Sequence, residues 1–240
     1  MTHTAPSHAA QDHTAPTRPF RRAGLAPIGV RWRIGLLGGS FNPAHAGHLH
    51  VSRQALQRLR LDMVWWLVSP QNPLKPRAGM APLAERAAGA RAVVGHTRRI
   101  AVTAVEADLG LRYTADTVAV LRMLYPRIRF VWLMGADNLA QIAGWQRWSR
   151  IFHTLPIAIC DRDSYSYRAL AGKAAVRYRG SRLPDRAARR LADTRPPSWV
   201  FMAVRRHPAS ATAIRAQRVA DKRATGFEDV RRRKAPSQRL

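Results

Sequence analysis

The sequence predicts a single α/β domain with a mostly parallel sheet and helices on both of its faces. Six short apolar runs have strand character, and amphipathic segments of helical length separate them. Strands that alternate with helices are typical of parallel sheets, because a parallel connection needs a crossover that is usually a helix. At 240 residues, of which 46% are hydrophobic, the chain is long enough to bury a substantial core.

The apolar runs predict the strands, and the amphipathic stretches between them predict the helices. The predicted strands are residues 32–37, 63–69, 100–105, 128–134, 155–160 and 199–204. The predicted helices are residues 47–60, 83–96, 114–124, 136–142, 145–152 and 185–191. In a Rossmann-like sheet of this kind, ligands lie at the carboxyl ends of the strands. Residues that carry chemistry are therefore expected directly after a strand.

The first predicted strand runs into a glycine turn that carries two histidines. Residues 38–48 read Gly-Gly-Ser-Phe-Asn-Pro-Ala-His-Ala-Gly-His. Adjacent glycines let the backbone approach a ligand closely, and a helix that begins near Gly47 would direct its N–H groups at the same point. His45 and His48 are three residues apart, so they can share one face toward it. The turn suits a triphosphate.

Two other interpretations of this turn are a metal site and a polar loop. A zinc site usually contains thiolates or carboxylates as well, but the only cysteine is Cys160 and the nearest acid is Asp62. The other common phosphate motifs are absent, since the chain contains neither G-x-G-x-x-G after this strand nor G-x-x-x-x-G-K-[ST]. The whole pattern after a strand therefore favours phosphate binding and argues against a dehydrogenase or a P-loop enzyme.

The pattern Gly-Gly-Ser-Phe-Asn-Pro-x-His-x-Gly-His resembles the signature of the nucleotidyltransferase superfamily, and in its bacterial form that of the nicotinate-nucleotide adenylyltransferases. Threonine is commoner in the family where this chain has Ser40, and aspartate where it has Asn42. The resemblance implies that the two histidines are catalytic. It also implies that most of the turn binds ATP, through Gly38, Gly39, Ser40, Phe41, His45 and His48.

Two further segments resemble the family's motifs for the acceptor nucleotide. Lys75 ends the segment Pro-Gln-Asn-Pro-Leu-Lys after the second strand, where it is either a phosphate contact or a solvated cation after a turn. Thr114 lies in Tyr-Thr-Ala-Asp-Thr, which is similar to the family's Ser-Tyr-Thr-x-x-Thr segment. As a plausible N-cap it needs no ligand, whereas the resemblance implies that it helps to hold the pyridine ring. These two roles do not exclude each other.

The fourth predicted strand is followed by Gly-Ala-Asp-Asn-Leu, close to the family's Gly-Ala-Asp-Ser-Leu. The resemblance assigns Gly135 and Asp137 to ATP, and Asp137 could accept hydrogen bonds from ribose hydroxyls. By itself, Asp137 would be a favourable charge in a first helical turn. Trp145 and Trp148 would be core residues on one helical face, but the resemblance assigns Trp145 to stacking on the nicotinate ring.

The last motif follows the sixth strand and spans residues 207–215. It resembles the superfamily's Ser-x-Thr-x-x-Arg signature, with Ser210, Thr212 and Arg215 at the three defined positions. Ser210 is a natural N-cap, Thr212 lies in the first turn, and Arg215 follows one turn later. The resemblance assigns all three to ATP binding, and Arg215 also to catalysis. Two phosphate motifs thus lie at opposite ends of one α/β pattern.

The remaining features concern domains, location and partners. Residues 1–30 are a low-complexity arm that is predicted to be disordered, residues 31–220 form the nucleotidyltransferase domain, and residues 221–240 form a basic tail. The formal charge of +27 is compatible with nucleic-acid binding, but the arginines are scattered and no RNA-binding motif occurs, so no nucleic-acid partner is expected. The chain has no apolar run of roughly eighteen residues, no signal segment and one cysteine, which favours the cytoplasm and no membrane partner.

The resemblance implies that AMP passes from ATP to nicotinate mononucleotide, giving nicotinate adenine dinucleotide and pyrophosphate for NAD biosynthesis. We expect Mg²⁺ to arrive on the ATP oxygens and no protein-held metal site, because the sequence shows no cluster of carboxylates. One alternative is pantetheine-phosphate adenylyltransferase, which has the same chemistry and a different acceptor. Another is a basic binding protein on a degenerate nucleotidyltransferase fold. The sequence leaves the oligomeric state open.

Overall fold

The computed structural model describes residues 31–70, 79–161 and 166–204, together with residues 209, 211, 214 and 215. The predicted arm and basic tail lie outside these residues, as do the predicted site residues Lys75, Ser210 and Thr212. No helix in the described ranges is long and apolar enough to cross a membrane.

Within the described residues, one sheet of seven parallel strands forms the centre of the fold. The strands are β1 (Arg33–Gly39), β2 (Met63–Val68), β3 (Ile100–Thr103), β4 (Arg129–Gly135), β5 (Ile157–Cys160), β6 (Arg182–Leu183) and β7 (Trp199–Met202). Their spatial order is β3-β2-β1-β4-β5-β7-β6, so the direction of winding reverses between β1 and β4. Ligands of open α/β sheets bind at such a reversal, at the carboxyl ends of the strands.

Helices cover both faces of the sheet, as the sequence predicts. In the described chain they are α1 (Ala46–Arg58), α2 (Leu83–Val94), α3 (Val105–Asp108), α4 (Thr114–Leu124), α5 (Ala136–Gln141), α6 (Trp148–Thr154), α7 (Ser166–Leu170) and α8 (Lys173–Arg177), with 3₁₀ segments Ile142–Gly144, Arg179–Ser181 and Asp185–Asp193. One apolar core includes residues of α4, α5, α6 and α8. A second core includes residues of α1, α2 and the segment Asp185–Asp193.

The strands supply side chains to both cores because successive residues of a strand point to opposite faces. In β2, Trp65 and Leu67 belong to the first core, whereas Val64 and Trp66 belong to the second. This burial on both faces explains why the strands are continuous apolar runs in the sequence.

All six predicted strands are present, and the differences from the prediction are local. The predicted third strand extends to residue 105, but it ends at Thr103, whose Oγ1 accepts a hydrogen bond from the backbone N of Val105 and turns the chain into α3. The predicted helix at 185–191 is a 3₁₀ segment. The short strand β6 was not predicted, because two residues cannot form an apolar run.

Candidate active site

The turn after β1 is shaped by hydrogen bonds to its two histidines. His45 is the N-cap of α1, and its Nδ1 accepts a hydrogen bond from the backbone N of Gly47 at 3.1 Å. The Nδ1 of His48 accepts one from the backbone N of His45 at 3.2 Å. A ring nitrogen that accepts a hydrogen bond carries no proton, so each neutral ring carries its proton on Nε2. Each histidine therefore shapes the helix start with one nitrogen and is an N–H donor with the other.

Aromatic packing and a buried polar chain fix the orientation of His48. Its ring centroid lies 4.0 Å from that of His45 and 4.8 Å from that of Phe41. Phe41 stacks on Trp66 with centroids 5.0 Å apart. Trp66 Nε1 donates to Ser52 Oγ at 2.7 Å, and this hydroxyl donates to the carbonyl O of His48 at 2.9 Å. The core of the sheet thus holds the histidine pair in place before any ligand binds.

Phe41 contributes to this turn through its backbone shape and its core packing. Its φ of 47° lies in the left-handed region, which costs a residue other than glycine on the order of 1–3 kcal/mol. The side chain is 2% exposed, and its burial offsets this strain. Any contact of Phe41 with a nucleotide therefore has to come from its backbone.

Glycines allow close approach at two points of the motif. A Cβ on Gly38 would lie 2.5 Å from the indole of Trp132, so this glycine is required by packing against β4. A Cβ on Gly47 would lie 2.8 Å from the His45 ring and 2.9 Å from the carbonyl O of Ala209. Gly47 therefore lets the chain that follows β7 approach the start of α1.

Arg215 connects the last motif to the first. Its Nη1 donates to the carbonyl O of Asn42 at 2.7 Å, across 173 residues of sequence. The side chain of Asn42 is also engaged, because its Nδ2 donates to the carbonyl O of Gly79 at 2.9 Å and its Oδ1 accepts from the backbone N of Ala81 at 3.4 Å. The structure thus brings Arg215 and Ala209 to the turn that bears the histidines.

Asp137 lies beside the point where the sheet reverses. Gly135 ends β4, the neighbour of β1, and Asp137 is in the first turn of α5. Its Oδ1 is buried and has no hydrogen-bond partner in the described part of the chain. A buried polar atom without a partner costs about 1–3 kcal/mol. A ligand hydroxyl at this position would remove that cost.

The structure corrects the predicted role of Thr114 at the start of α4. The N-cap of this helix is Tyr113, and Thr114 is its first helical residue. The carbonyl O of Tyr113 accepts hydrogen bonds from the backbone N of both Asp116 and Thr117, at 2.9 and 3.1 Å. The helix therefore begins one residue earlier than a Thr114 cap would place it.

The two tryptophans of the next segment both pack against the first core, but they lie in different backbone conformations. Trp148 begins α6 and makes edge contacts with Phe152 and Tyr178, with centroids 6.0 and 5.9 Å apart. Trp145 precedes the helix in a turn, where its carbonyl O accepts from the backbone N of Trp148 at 3.2 Å. The prediction of one helix over residues 145–152 is wrong. Arg147, which lies between the two tryptophans in the sequence, has a left-handed backbone conformation with φ of 53°, and the helix begins only at Trp148.

An ion pair that the sequence interpretation missed joins these two segments. Arg147 Nη2 donates to Asp116 Oδ2 at 2.6 Å, and its guanidinium lies 6.0 Å from the centroid of the Tyr113 ring. Asp116 belongs to the first turn of α4, and Arg147 belongs to the turn that bears Trp145. The ion pair therefore brings the start of α4 toward that turn.

Two buried charged residues beneath the strand ends were also missed. Arg86 is 4% exposed and Glu106 is 7% exposed. Burial raises the pKa of Glu106, and hydrogen bonds from the hydroxyls of Thr117 and Ser69 partly oppose this rise. The sequence did contain a signal for Arg86. This residue lies four residues before Ala90, so a charged residue occupies the apolar face of the predicted helix.

Within the described ranges, no three His, Cys, Asp or Glu side chains come together as a metal site. The histidine pair also has the wrong chemistry for one, because both Nδ1 atoms accept backbone N–H groups. Binding a metal through Nε2 would require a proton on Nδ1, where it would face the backbone N–H group.

Comparisons with known proteins agree with the motifs. Residues 36–217 match the cytidylyltransferase-like family. A probable nicotinate-nucleotide adenylyltransferase of Cereibacter sphaeroides is 51% identical over 183 residues, which cover 76% of this chain and 96% of the relative. Another, from Methylorubrum extorquens, is 50% identical over 185 residues, which cover 77% of this chain and 100% of the relative.

A solved structure supports the fold. Nicotinic acid mononucleotide adenylyltransferase of Plasmodium falciparum, complexed with NaAD, superimposes with a TM-score of 0.58 over 77% of this chain and 83% of that chain. At 14% sequence identity, this similarity concerns the fold alone. The alignments with the two bacterial relatives extend over nearly the whole length of each relative, at about 50% identity. The family match spans both phosphate motifs. The chain therefore belongs to the cytidylyltransferase-like family and, within it, to the nicotinate-nucleotide adenylyltransferases.

Proposed function

We propose that the protein transfers AMP from ATP to the phosphate of nicotinate mononucleotide, forming nicotinate adenine dinucleotide and releasing pyrophosphate. The observation that carries the proposal is the turn after β1, where two oriented histidines and Arg215 meet at the reversal of the sheet. The relatives that share about half of the sequence are named for this activity.

The acceptor needs no base from the protein. The second pKa of a phosphate monoester is about 6, so at neutral pH its oxygen is already a nucleophile. That oxygen forms a bond to the α-phosphorus of ATP while the bond from this phosphorus to the bridging β-phosphate oxygen breaks, and pyrophosphate leaves. Catalysis then consists of holding the two nucleotides in line and stabilising charge on the triphosphate.

The first motif supplies the donors for that charge. The Nε2–H groups of His45 and His48 are proposed to donate to triphosphate oxygens, because Nδ1 of each ring is engaged with the backbone. Arg215 is proposed to assist, since a guanidinium has five N–H donors and can be oriented by the Asn42 carbonyl while it donates to phosphate. Ser210 and Thr212 are assigned to the same triphosphate, together with backbone groups of Gly38, Gly39, Ser40 and Phe41.

Asp137 and Gly135 are proposed to hold the nucleoside part of ATP. The buried Oδ1 of Asp137 would accept a hydrogen bond from a ribose hydroxyl. Mg²⁺ is proposed to arrive on the ATP oxygens and to retain several waters, which is its usual behaviour with nucleotide substrates. The donors around the histidine turn are N–H groups, which suit phosphate oxygens and not a cation.

The acceptor is proposed to bind between the start of α4 and the turn that bears Trp145. The first N–H groups of α4, at Thr114, lie at the positive end of the helix dipole, which favours the carboxylate of nicotinate over a neutral amide. Trp145 would stack on the pyridine ring, and Lys75 would contact the acceptor phosphate. Gln146 follows Trp145, and an amide at this position could bond either form of the acceptor.

A pyrophosphate-release assay with Mg-ATP and three acceptors tests the function. The acceptors are nicotinate mononucleotide, its amide and pantetheine phosphate. We expect kcat/KM to be roughly tenfold to a hundredfold higher for the nicotinate form than for the amide, since an unmatched buried polar group costs about 1–3 kcal/mol. A ratio near one would contradict the preference for the nicotinate form, while the protein would still be an adenylyltransferase. Turnover with pantetheine phosphate alone would identify the other acceptor, and no turnover with any acceptor would indicate a binding protein.

A further inference from the structure

Arg86 is a buried cation whose hydrogen-bond partners within the described residues are backbone carbonyls. It lies on α2, is 4% exposed and shares its face of the helix with the small buried residue Ala90. Its Nε donates to the carbonyl O of Ala81 at 2.8 Å, and its Nη1 donates to those of Ser40 at 2.7 Å and Ser69 at 2.8 Å. Its Nη2 completes the set with the carbonyl O of Pro70, at 3.0 Å.

These carbonyls belong to three different segments of the site. Ser40 lies in the turn after β1 that is assigned to the triphosphate. Ser69 and Pro70 directly follow β2 and precede Lys75 in the sequence, and Lys75 is proposed to contact the acceptor phosphate. Ala81 precedes α2. We call the turn after β1 that contains Ser40 the nucleotide turn, and residues 69–70 the acceptor loop. One guanidinium therefore joins the backbone of the nucleotide turn to that of the acceptor loop.

The cation has no carboxylate partner within the described residues, which makes its burial expensive. Removal from water lowers the pKa of Arg86, and the four carbonyl dipoles only partly replace its hydration. An apolar side chain would fill the same position on α2 without that cost. The benefit of a guanidinium here is its rigid fork of donors, which fixes several carbonyls relative to one another.

We propose that Arg86 is a positioning residue that sets the spacing between the nucleotide turn at Ser40 and the acceptor loop at Pro70. This inference rests on the proposed function, because it assigns the two segments to the two reacting nucleotides. The Asn42 side chain links the same turn to Gly79 and Ala81, in the segment that Arg86 Nε also contacts. The reacting phosphates must meet in line, and a misplacement of about 1 Å can cost roughly 10²-fold in rate.

The test compares Arg86→Lys with Arg91→Lys, a matched control on the exposed face of the same helix. Lysine keeps the charge but is a point donor without the planar fork, so it cannot span all three segments. We expect kcat of Arg86→Lys to fall about tenfold to a hundredfold, while KM for each substrate changes less than kcat. Arg91→Lys is expected to match the wild type. A purely structural role would lower the melting temperature and leave kcat of the folded protein unchanged.

Hydrogen exchange on the full chain gives a readout that needs no turnover. In Arg86→Lys, the amides of residues 38–42 and 67–69 are expected to exchange several-fold faster, with those of β5 and β7 unchanged. If the wild type forms no dinucleotide, the proposed function fails while this measurement still decides whether Arg86 holds the two segments. Arg86→Gln is the second variant, because it is neutral and retains an amide donor. A kcat within twofold of the wild type, unchanged exchange at both segments, or failure of both variants to fold would overturn the proposal.

Discussion

The two halves of the proposed site are held by different kinds of interaction. The nucleotide half, defined as residues 38–48 with Arg215, is held by stacked rings and by hydrogen bonds to the backbone, which are buried at His45, half-buried at His48 and exposed at Arg215. The acceptor half, defined as the start of α4 with the turn at residues 145–148, packs on the first core through Ala115, Trp145 and Trp148. Its two segments are also linked by an ion pair, in which the Arg147 and Asp116 side chains are 42% and 29% exposed. Among the residues that the structure describes, the one buried hydrogen bond between side chains in the acceptor half is donated by Thr117 to Glu106.

This difference has consequences for rigidity and for sensitivity to salt. The buried hydrogen bonds at His45 and Trp66 are strong and little screened by salt, so they and the Phe41–Trp66 stack organise the histidine turn before ATP binds. An exposed ion pair contributes about 0.2–1 kcal/mol and weakens as salt is added. Under the proposed function, the AMP transfer would be carried by the half with the buried hydrogen bond at His45, and the acceptor would be recognised by the half with the exposed ion pair.

The largest effect is expected from the histidines of the nucleotide half. His45→Ala and His48→Ala should each lower kcat about 10²- to 10³-fold, the usual loss when one preorganised donor to developing charge is removed. Exposed His96 provides the control, and His96→Ala should leave kcat unchanged. Steady-state pyrophosphate release measures all three variants.

His45 also caps α1, so catalysis and capping have to be separated. Loss of an N-cap costs about 0.5–2 kcal/mol, which His45→Ala should show as a lower melting temperature. Asparagine is a good N-cap but has no Nε2–H group, so His45→Asn should recover stability and not turnover. Recovery of turnover in His45→Asn would mean that His45 acts only through the helix.

The next effect tests whether the approach of the last motif to the first is required. In Gly47→Ala, the new Cβ would meet the Ala209 carbonyl at 2.9 Å and the His45 ring at 2.8 Å. We expect kcat/KM for ATP to fall about tenfold, because small displacements at the reacting centre have effects of this order. Gly89→Ala is the control, since a Cβ there meets nothing within 4 Å. Alanine in a helix interior is itself stabilising by roughly 0.5–1 kcal/mol, so equal behaviour of the two variants would contradict the steric argument.

A smaller effect is expected when the ion pair of the acceptor half is broken. Arg147→Gln leaves Asp116 as an unpaired negative charge near an anionic acceptor. KM for nicotinate mononucleotide should rise about twofold to fivefold at low salt, which corresponds to about 0.5–1 kcal/mol. KM for ATP should not change. Added salt should reduce the difference between variant and wild type.

Arg129→Gln is the matched control for that variant. Arg129 pairs with Asp193, and it begins β4 at the end of the strand away from the carboxyl edge. Its loss should leave both KM values unchanged at every salt concentration. An equal rise of KM for ATP and for the acceptor in Arg147→Gln would show that the ion pair supports the fold as a whole.

The same contrast explains what the sequence could predict. Strands buried on both faces are continuous apolar runs, and the first motif is one contiguous segment, so both were visible in the linear chain. Arg86 acts through carbonyls of three segments, which no local pattern reveals. Trp145 and Trp148 have the spacing of one helical face, but the left-handed conformation of Arg147 separates them. Most of the nucleotide half was predictable, whereas the acceptor half depends on long-range pairing and on an irregular turn.

The smallest effect concerns Glu106, the buried carboxylate that accepts a hydrogen bond from Thr117 of the acceptor half. Burial raises its pKa above the ordinary 4.5 in the folded protein, so the folded state binds the proton more tightly than the unfolded chain does. Its contribution to stability is therefore most favourable below the unfolded pKa and is lost as pH rises through the folded pKa. Glutamine does not titrate, and its amide oxygen can still accept the hydrogen bond from Thr117. Urea unfolding over about pH 4 to 8 should show Glu106→Gln gaining stability relative to the wild type as pH rises and then levelling off. If the difference in unfolding free energy between Glu106→Gln and the wild type shrinks or stays constant as pH rises, the hydrogen bonds from Thr117 and Ser69 lower the pKa of Glu106 at least as much as burial raises it.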